Sequence, residues 1–188
     1  MKIGLYFGSF NPIHIGHLII ANFVAHNTEV DQVWFVVSPH NPLKKSSTLL
    51  NEYHRLHLVQ LAIEQNPHFK ASDIEFRLPR PSYTIDTLTY LREQYQKHEF
   101  VIVMGSDSFQ NINRWKNNDL LIKNYSFYIF QRPGYIITNN RENVTTLKAP
   151  LLEISSTEIR IALKKEKTIR YMVSEKVREE IEKSGYYK

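Results

Sequence analysis

Short apolar runs alternate with longer stretches of helical periodicity along most of the chain. Runs rich in β-branched and aromatic residues predict strands over 2–7, 33–37, 72–76, 100–104 and 126–130. Apolar positions at helical spacing predict helices over 16–26, 52–65, 84–96, 155–163 and 174–184, and Gly185 is a candidate carboxyl-terminal cap for the last. Strands that alternate with helices predict an α/β fold, with a parallel sheet covered on both faces and helices at the carboxyl end. In such sheets, ligands bind beyond the carboxyl ends of the strands.

Length and composition fit one ordinary domain. The chain has 188 residues, 42% of them hydrophobic, which predicts a single domain over 1–188 with a substantial core. It has no cysteine, which excludes disulfides and thiolate metal sites. No segment is apolar for long enough to cross a bilayer, and the apolar run at the start is too short for a secretory signal. We therefore expect a cytoplasmic protein that does not bind membranes.

The formal net charge of +5 fits two classes of partner. One is nucleic acid, and the other is a small anionic substrate of an enzyme. The basic residues are not gathered in one arm, and acidic residues dilute the densest group, over 160–170. The chain shows no RNP, KH or zinc-finger pattern, so a basic nucleic-acid-binding module remains only as the alternative.

The stretch GSFNPIHIGH, residues 8–17, directly follows the first predicted strand. Gly8 permits a sharp turn, and Pro12 cannot continue a strand ladder, so a helix should begin soon afterwards. Free N–H groups at a helix start favour an anion. His14 and His17 are three residues apart and should share one helical face. The stretch predicts a phosphate site, and the alternative is a plain strand–turn–helix connection with incidental histidines.

A second candidate anion site lies near residue 155. Ser155 and Glu158 have the spacing of a capping box, which predicts a helix that starts at Ser155. Arg160 would follow within the first turn or two, where it could contact phosphate oxygens. The alternative is an ordinary capped helix with a surface arginine. Two such helix starts in one small domain favour a polyphosphate ligand.

Both motifs resemble those of the H-x-G-H nucleotidyltransferase superfamily. Residues 14–17 spell HIGH, and ISSTEIR at 154–160 resembles the second motif of the small members, S-[ST]-T-x-[IV]-R. Four further runs, PHNPLK at 39–44, RPSYTIDTL at 80–88, MGSD at 104–107 and RPG at 132–134, resemble the bacterial nicotinate-nucleotide adenylyltransferases. The resemblance covers nearly the whole chain. It departs at Ser174, where many relatives have proline, but serine is a good N-cap.

The resemblance implies a Rossmann-like, doubly wound sheet and a specific reaction. That reaction transfers AMP from ATP to nicotinate mononucleotide, giving deamido-NAD and pyrophosphate, in NAD biosynthesis. The attacking phosphate is already mostly ionised at pH 7, so no strong general base is needed. Mg²⁺ is expected with the ATP rather than in a protein cage. Phosphopantetheine adenylyltransferase is the alternative within the class, and a homo-oligomer remains open.

The resemblance also implies roles for individual residues. Those expected to bind ATP are Gly8, Ser9, Phe10, His14, His17, Gly105, Asp107, Ser155, Ser156, Thr157 and Arg160. Those expected to bind the pyridine nucleotide are Asn11, Tyr83, Thr84, Trp115 and Arg132. The catalytic group is expected to be His14, His17, Lys44 and Arg160.

Four of these residues keep an alternative role. Lys44 could be a solvated lysine, and Asp107 a helix N-cap. Trp115 could be a core aromatic rather than a plate for the pyridine ring, and Arg132 could only brace its turn. His54 and His57 are also three residues apart, but without accompanying ligands, which predicts packing or surface roles rather than a metal site.

Overall fold

The computed structural model describes residues 1–39, 48–132, 134–135, 137, 141–150 and 152–188. Its centre is a six-stranded sheet in the order β3-β2-β1-β4-β5-β6, and every neighbouring pair is parallel. The strands are β1 Lys2–Gly8, β2 Gln32–Val37, β3 Phe69–Ser72, β4 Glu99–Gly105, β5 Ser126–Phe130 and β6 Val144–Leu147. This order is that of the doubly wound Rossmann fold, which confirms the predicted fold class.

Helices cover both faces of the sheet. They are α1 Ile15–Asn27, α2 Glu52–Ile63, α3 Thr84–Gln94, α4 Ser106–Phe109, α5 Asn118–Asn124, α6 Ser156–Lys164 and α7 Glu175–Ser184. One core packs α1, α2, α6 and α7 against one face, and a second core packs α3 and α5 against the other. Successive residues of β2 alternate between the two cores, as the pleat of a strand requires: Phe35 belongs to the first and Trp34 to the second.

Three differences from the predicted elements have local causes. The strand predicted over 72–76 is wrong in position: β3 ends at Ser72, and Ile74–Arg77 forms a turn of 3-10 helix. The neighbouring β2 ends at Val37, so residues 74–76 have no strand to pair with. Strand β6 was not predicted because it is a short edge strand with two exposed threonines. The short helices α4 and α5 were also missed.

The predicted helix ends agree more closely with the structure. Ser155 and Glu158 form the predicted capping box, with Ser155 as the N-cap and the helix itself starting at Ser156. Gly185 ends α7 in the left-handed conformation, at φ 66°. Ser174 is the N-cap of α7, but its hydroxyl makes no capping hydrogen bond. Among the described residues, no helix is both long and apolar enough to span a membrane.

Candidate active site

A cleft of about 670 Å³ opens at the carboxyl ends of β1 and β4. These two central strands flank the point where the strand order reverses, which is where ligands bind in this fold. Each predicted site residue within the described part of the chain lines this cleft. Lys44 lies outside the described residues. The structure therefore brings the predicted residues together, while their individual roles stay predictions.

The loop between β1 and α1 turns at Phe10 rather than at Gly8. Phe10 has a φ of 44°, whereas Gly8 is the last residue of β1, so the predicted turn at Gly8 is wrong. Glycine is needed at position 8 for another reason: a Cβ there would lie 2.8 Å from the ring of Phe10. That ring is buried between Tyr6 and Phe35, with centroid distances of 5.8 and 5.6 Å. The β1–α1 loop is thus anchored in the core by an aromatic side chain.

His14 and His17 form a stacked pair at the start of α1. His14 is the N-cap of the helix, and its ring lies 3.7 Å from that of His17, centroid to centroid. The His14 N–H donates to Nδ1 of His17 over 3.2 Å, so the neutral His17 ring carries its proton on Nε2. Burial, with a smaller effect of Arg132, lowers the pKa of His14 to about 4. The His14 ring is therefore neutral at pH 7, and a bound phosphate would raise its pKa.

The amino end of α6 is bonded directly to the β1–α1 loop. Ser156 Oγ donates to the carbonyl of Pro12 over 2.9 Å, and Arg160 Nη1 donates to the carbonyl of Asn11 over 2.7 Å. The two helix starts predicted to hold one polyphosphate therefore lie side by side. One N–H of α1 is already used, because Ile15 donates to the carbonyl of Met172.

The hydroxyls at the start of α6 also have partners within the protein. Ser155 Oγ bonds the carboxylate of Glu158 at 2.9 Å and accepts from its N–H at 3.2 Å. Thr157 Oγ1 accepts from Arg160 Nη2 at 3.2 Å. A phosphate at this helix start must therefore use backbone N–H groups and the Arg160 guanidinium, or displace these bonds.

Asp107 and Arg132 face each other at the end of β4. The N-cap of α4 is Gly105, without a side-chain cap, so the alternative of Asp107 as an N-cap is excluded. The Asp107 carboxylate pairs with Arg132 Nε at 3.3 Å. A Cβ on Gly105 would collide with this carboxylate. The backbone N–H of Arg132 donates to Ser106 Oγ at 2.8 Å, so this residue braces its turn and also presents its side chain to the cleft.

The other end of the cleft is built around the start of α3. Tyr83 is the N-cap, and no side chain caps this helix. Trp115 lines the cleft and also packs against the second core, and its stacking on a pyridine ring stays a prediction. The neighbouring Lys116 ties this segment to α3: its Nζ lies 4.8 Å from the centroid of the Tyr83 ring and 2.9 Å from Asp86 Oδ2.

Asn11 has a bracing role that the sequence did not predict. Its Nδ2 donates to the carbonyl of Thr48 over 2.9 Å, and its Oδ1 accepts from the N–H of Leu50 over 3.1 Å. Both ends of the side chain are engaged, and the backbone carbonyl accepts from Arg160, so Asn11 links three segments around the cleft, while its contact with a pyridine nucleotide stays a prediction.

The sequence analysis also missed two buried charged residues beneath the cleft. Arg55 is fully buried and donates to the carbonyls of Leu50, Ser9, Ser38 and Pro39 at 2.7, 2.5, 2.8 and 2.9 Å. Burial lowers the pKa of its guanidinium. The sequence did carry a signal for its burial: Arg55 lies four residues before Val59, on the apolar face of α2.

Glu75, the second of these residues, is 3% exposed. Its carboxylate accepts from Ser82 Oγ at 2.9 Å and Thr87 Oγ1 at 3.0 Å, and burial raises its pKa. The sequence signal for its burial was the position of this charge between two apolar residues, Ile74 and Phe76.

The histidine pair on α2 has no metal-binding geometry. His54 Nδ1 lies 2.9 Å from the hydroxyl of Tyr186, which agrees with the packing role predicted for it. His57 is exposed. Within the described ranges, no three His, Cys, Asp or Glu side chains group closely enough to hold a metal ion.

Comparison with known proteins gives the family. Residues 5–162 match the model of the family described as cytidylyltransferase-like. A protein of Cytophaga hutchinsonii named "Probable nicotinate-nucleotide adenylyltransferase" is 53% identical over 189 residues, covering 100% of this chain and 98% of that protein. A protein of Flavobacterium psychrophilum with the same name is 49% identical and covers 100% of both chains.

A solved structure supports the fold independently. The Plasmodium falciparum nicotinic acid mononucleotide adenylyltransferase, complexed with NaAD, superposes with a TM-score of 0.83. It is 22% identical, and the match covers 99% of this chain and 97% of that one. With two full-length relatives near half identity and a family model over most of its length, this chain belongs to the cytidylyltransferase-like family and, within it, to the nicotinate-nucleotide adenylyltransferases.

Proposed function

We propose that this cleft joins nicotinate mononucleotide to the AMP part of ATP, forming deamido-NAD and releasing pyrophosphate. The observation that carries the proposal is the direct bonding of the α6 start to the β1–α1 loop, through Arg160 and Ser156. That junction gathers two helix starts, two imidazoles and a guanidinium at one place. Such a set suits a triphosphate, and the names of the full-length relatives agree.

The chemical step is an in-line displacement at phosphorus. A phosphate oxygen of nicotinate mononucleotide forms a bond to the α-phosphorus of ATP, and the bond from that phosphorus to the bridging oxygen of pyrophosphate breaks. The nucleophile is already an anion at neutral pH, so catalysis is positioning and charge stabilisation. His14, His17 and Arg160 are the groups that stabilise the developing charge. Lys44 stays a predicted helper outside the described residues.

The ATP end has room for the remaining predicted contacts. Backbone N–H groups at the start of α6 would hold the β- and γ-phosphates, and those of Ser9 and Phe10 would approach the nucleotide. The Asp107 carboxylate, now paired with Arg132, would accept the ribose hydroxyls. ATP would arrive as its Mg²⁺ complex, with the cation on phosphate oxygens, as Mg²⁺ usually binds nucleotides. A reaction that consumes ATP favours the cytoplasm as its compartment.

The pyridine end would bind its substrate by stacking and by backbone donors. Trp115 would lie against the pyridine ring, and Tyr83 and Thr84 would offer N–H groups to the ring carboxylate. The start of α3 suits a carboxylate because no side chain caps it. Arg132 could add a charge between the two nucleotides.

A direct assay tests the proposal. Purified protein is incubated with ATP, Mg²⁺ and one of three acceptors, nicotinate mononucleotide, its amide or phosphopantetheine, and pyrophosphate release is followed. We expect turnover with nicotinate mononucleotide and formation of deamido-NAD. Turnover with phosphopantetheine alone would assign a different acceptor. Salt-dependent binding of a polynucleotide without ATP turnover would support a basic nucleic-acid-binding module instead.

A further inference from the structure

The buried carboxyl of Glu75 has no part in the chemistry described above, yet it lies in the wall of the cleft. Its position is beside the pyridine end rather than the phosphate end. It follows β3 in a short turn of 3-10 helix, and only 3% of the residue is exposed. A buried carboxylate is costly unless several donors satisfy it, so its partners indicate what it holds in place.

Those partners come from three separate segments. Ser82, just before the N-cap of α3, donates from 2.9 Å, and Thr87, in the first turns of α3, donates from 3.0 Å. The hydroxyl of Ser38, just past the end of β2, bonds the same carboxylate. Ser82 and Thr87 lie on either side of Tyr83 and Thr84, whose N–H groups form the start of α3. The Glu75 side chain is thus hydrogen-bonded both to the residue before the N-cap and to the helix itself.

We propose that Glu75 is a positioning residue that sets the start of α3 to receive the pyridine nucleotide. This inference rests on the proposed function, because it concerns the same substrate. No side chain caps the start of α3, so contacts from outside the helix must fix where its free N–H groups lie in the cleft. The Glu75 carboxylate would provide this contact through the hydroxyls of Ser82 and Thr87, five residues apart, without touching the ligand.

Two variants test the proposal with little change in shape. Glu75→Gln keeps the size of the side chain but removes the charge that three hydroxyls share. Thr87→Val keeps the shape of the side chain and removes the hydrogen bond from α3 to Glu75, together with a longer bond to the carbonyl of Tyr83 on the same helix. The matched control is Thr89→Val, which is exposed on the same helix and bonds only the carbonyl of Ile85, at 2.9 Å.

Steady-state kinetics with both substrates give the readout. We expect the KM for nicotinate mononucleotide to rise on the order of tenfold in Glu75→Gln and Thr87→Val, with the KM for ATP nearly unchanged. Thr89→Val should keep both values. The double variant should be no worse than Glu75→Gln, because both changes break the same interaction.

Other outcomes would overturn the proposal. Equal rises in both KM values, or a lower melting temperature with both KM values intact, would make Glu75 a purely structural residue. If Glu75→Gln does not fold, Thr87→Val alone decides between these outcomes. If the wild-type protein makes deamido-NAD and the variants keep their KM values, this inference is wrong but the proposed function stands. Wild-type protein without turnover would overturn both.

Discussion

The starts of α6 and α3 face the same cleft but are completed differently. Ser155 and Glu158 close the start of α6 with a capping box, whereas Tyr83 begins α3 with no side-chain cap. A capped start satisfies some of its own N–H groups, while an uncapped start leaves them for an outside acceptor. Under the proposed function, the difference predicts that phosphate binding at α6 depends heavily on side chains such as Arg160, and binding of the pyridine nucleotide at α3 on backbone donors.

The supports beneath the two ends also differ in charge. Arg55 binds the carbonyl of Ser9 under the β1–α1 loop, and Glu75 binds Ser82 and Thr87 under the start of α3. They meet at Ser38, where Arg55 binds the carbonyl and Glu75 binds the hydroxyl. Each end of the cleft is therefore supported by a buried charge whose hydrogen bonds reach across several loops.

His17→Ala should have the largest effect, because the proposed function makes this ring one of the groups that stabilise the transferred phosphate. We expect kcat to fall by about 10²–10³-fold, the usual loss for one preorganised donor to a developing anion, with both KM values little changed. Steady-state kinetics measure this, and an unchanged melting temperature shows that the fold survives. A near-normal kcat would remove His17 from the chemical step.

His14 should make the free protein sensitive to acid. The folded ring has a pKa of about 4 and the unfolded ring about 6.5, so the unfolded chain binds more protons between these values. The free energy of unfolding therefore falls as the pH drops through this window, by on the order of 3 kcal/mol from this group. Urea unfolding of wild type and His14→Gln at pH 7 and pH 4 measures the difference. Parallel pH profiles for the two proteins would contradict the burial of a neutral ring.

Arg160→Ala should weaken the phosphate end selectively. Hydrogen bonds from a charged donor contribute about 2 kcal/mol, so the KM for ATP should rise on the order of 30-fold, with a much smaller effect on nicotinate mononucleotide. Lys164→Ala is the control, because it removes a charge from the same helix at an exposed position outside the cleft. An unchanged KM for ATP with normal turnover would take Arg160 out of the site.

Trp115→Ala should give the smallest effect, and it should act on the other substrate than Arg160→Ala does. Loss of a stacked ring costs about 1 kcal/mol, so the KM for nicotinate mononucleotide should rise several-fold while that for ATP stays nearly constant. Trp115→Phe should retain most of the affinity, since it keeps an aromatic face. Equal effects on both substrates would indicate that Trp115 serves only the core.

The sequence predicted much of the site because its motifs are local. The capping box at Ser155 depends on residues three apart, and it is present in the structure. The stretch at 8–17 also identified the right loop, although the turn is made by Phe10 rather than Gly8. That error arose because the ring of Phe10 packs against Tyr6 and Phe35, and this packing stabilises a left-handed backbone that the residue type alone does not favour.

Residues whose partners lie far away in the chain were predicted less well. Glu75 was assigned to the strand predicted over 72–76, and only the end of β2 at Val37 shows why no strand continues there. Arg55 was missed, although it is a charge on an apolar helix face, and its bond to Ser9 joins residues 46 positions apart. Periodicity identifies a buried face without identifying what the face contacts.

By itself, the sequence determined the alternation of strands and helices, the helix caps and the two motifs predicted to bind anions, because each depends on neighbours within a few residues. Tertiary structure alone decided how those motifs meet. The bond from Arg160 to the carbonyl of Asn11 spans 149 positions and exists only because the parallel sheet brings both loops to one edge. The same is true of the two buried charges: they are stable only where folding supplies carbonyls around the cation and hydroxyls around the anion.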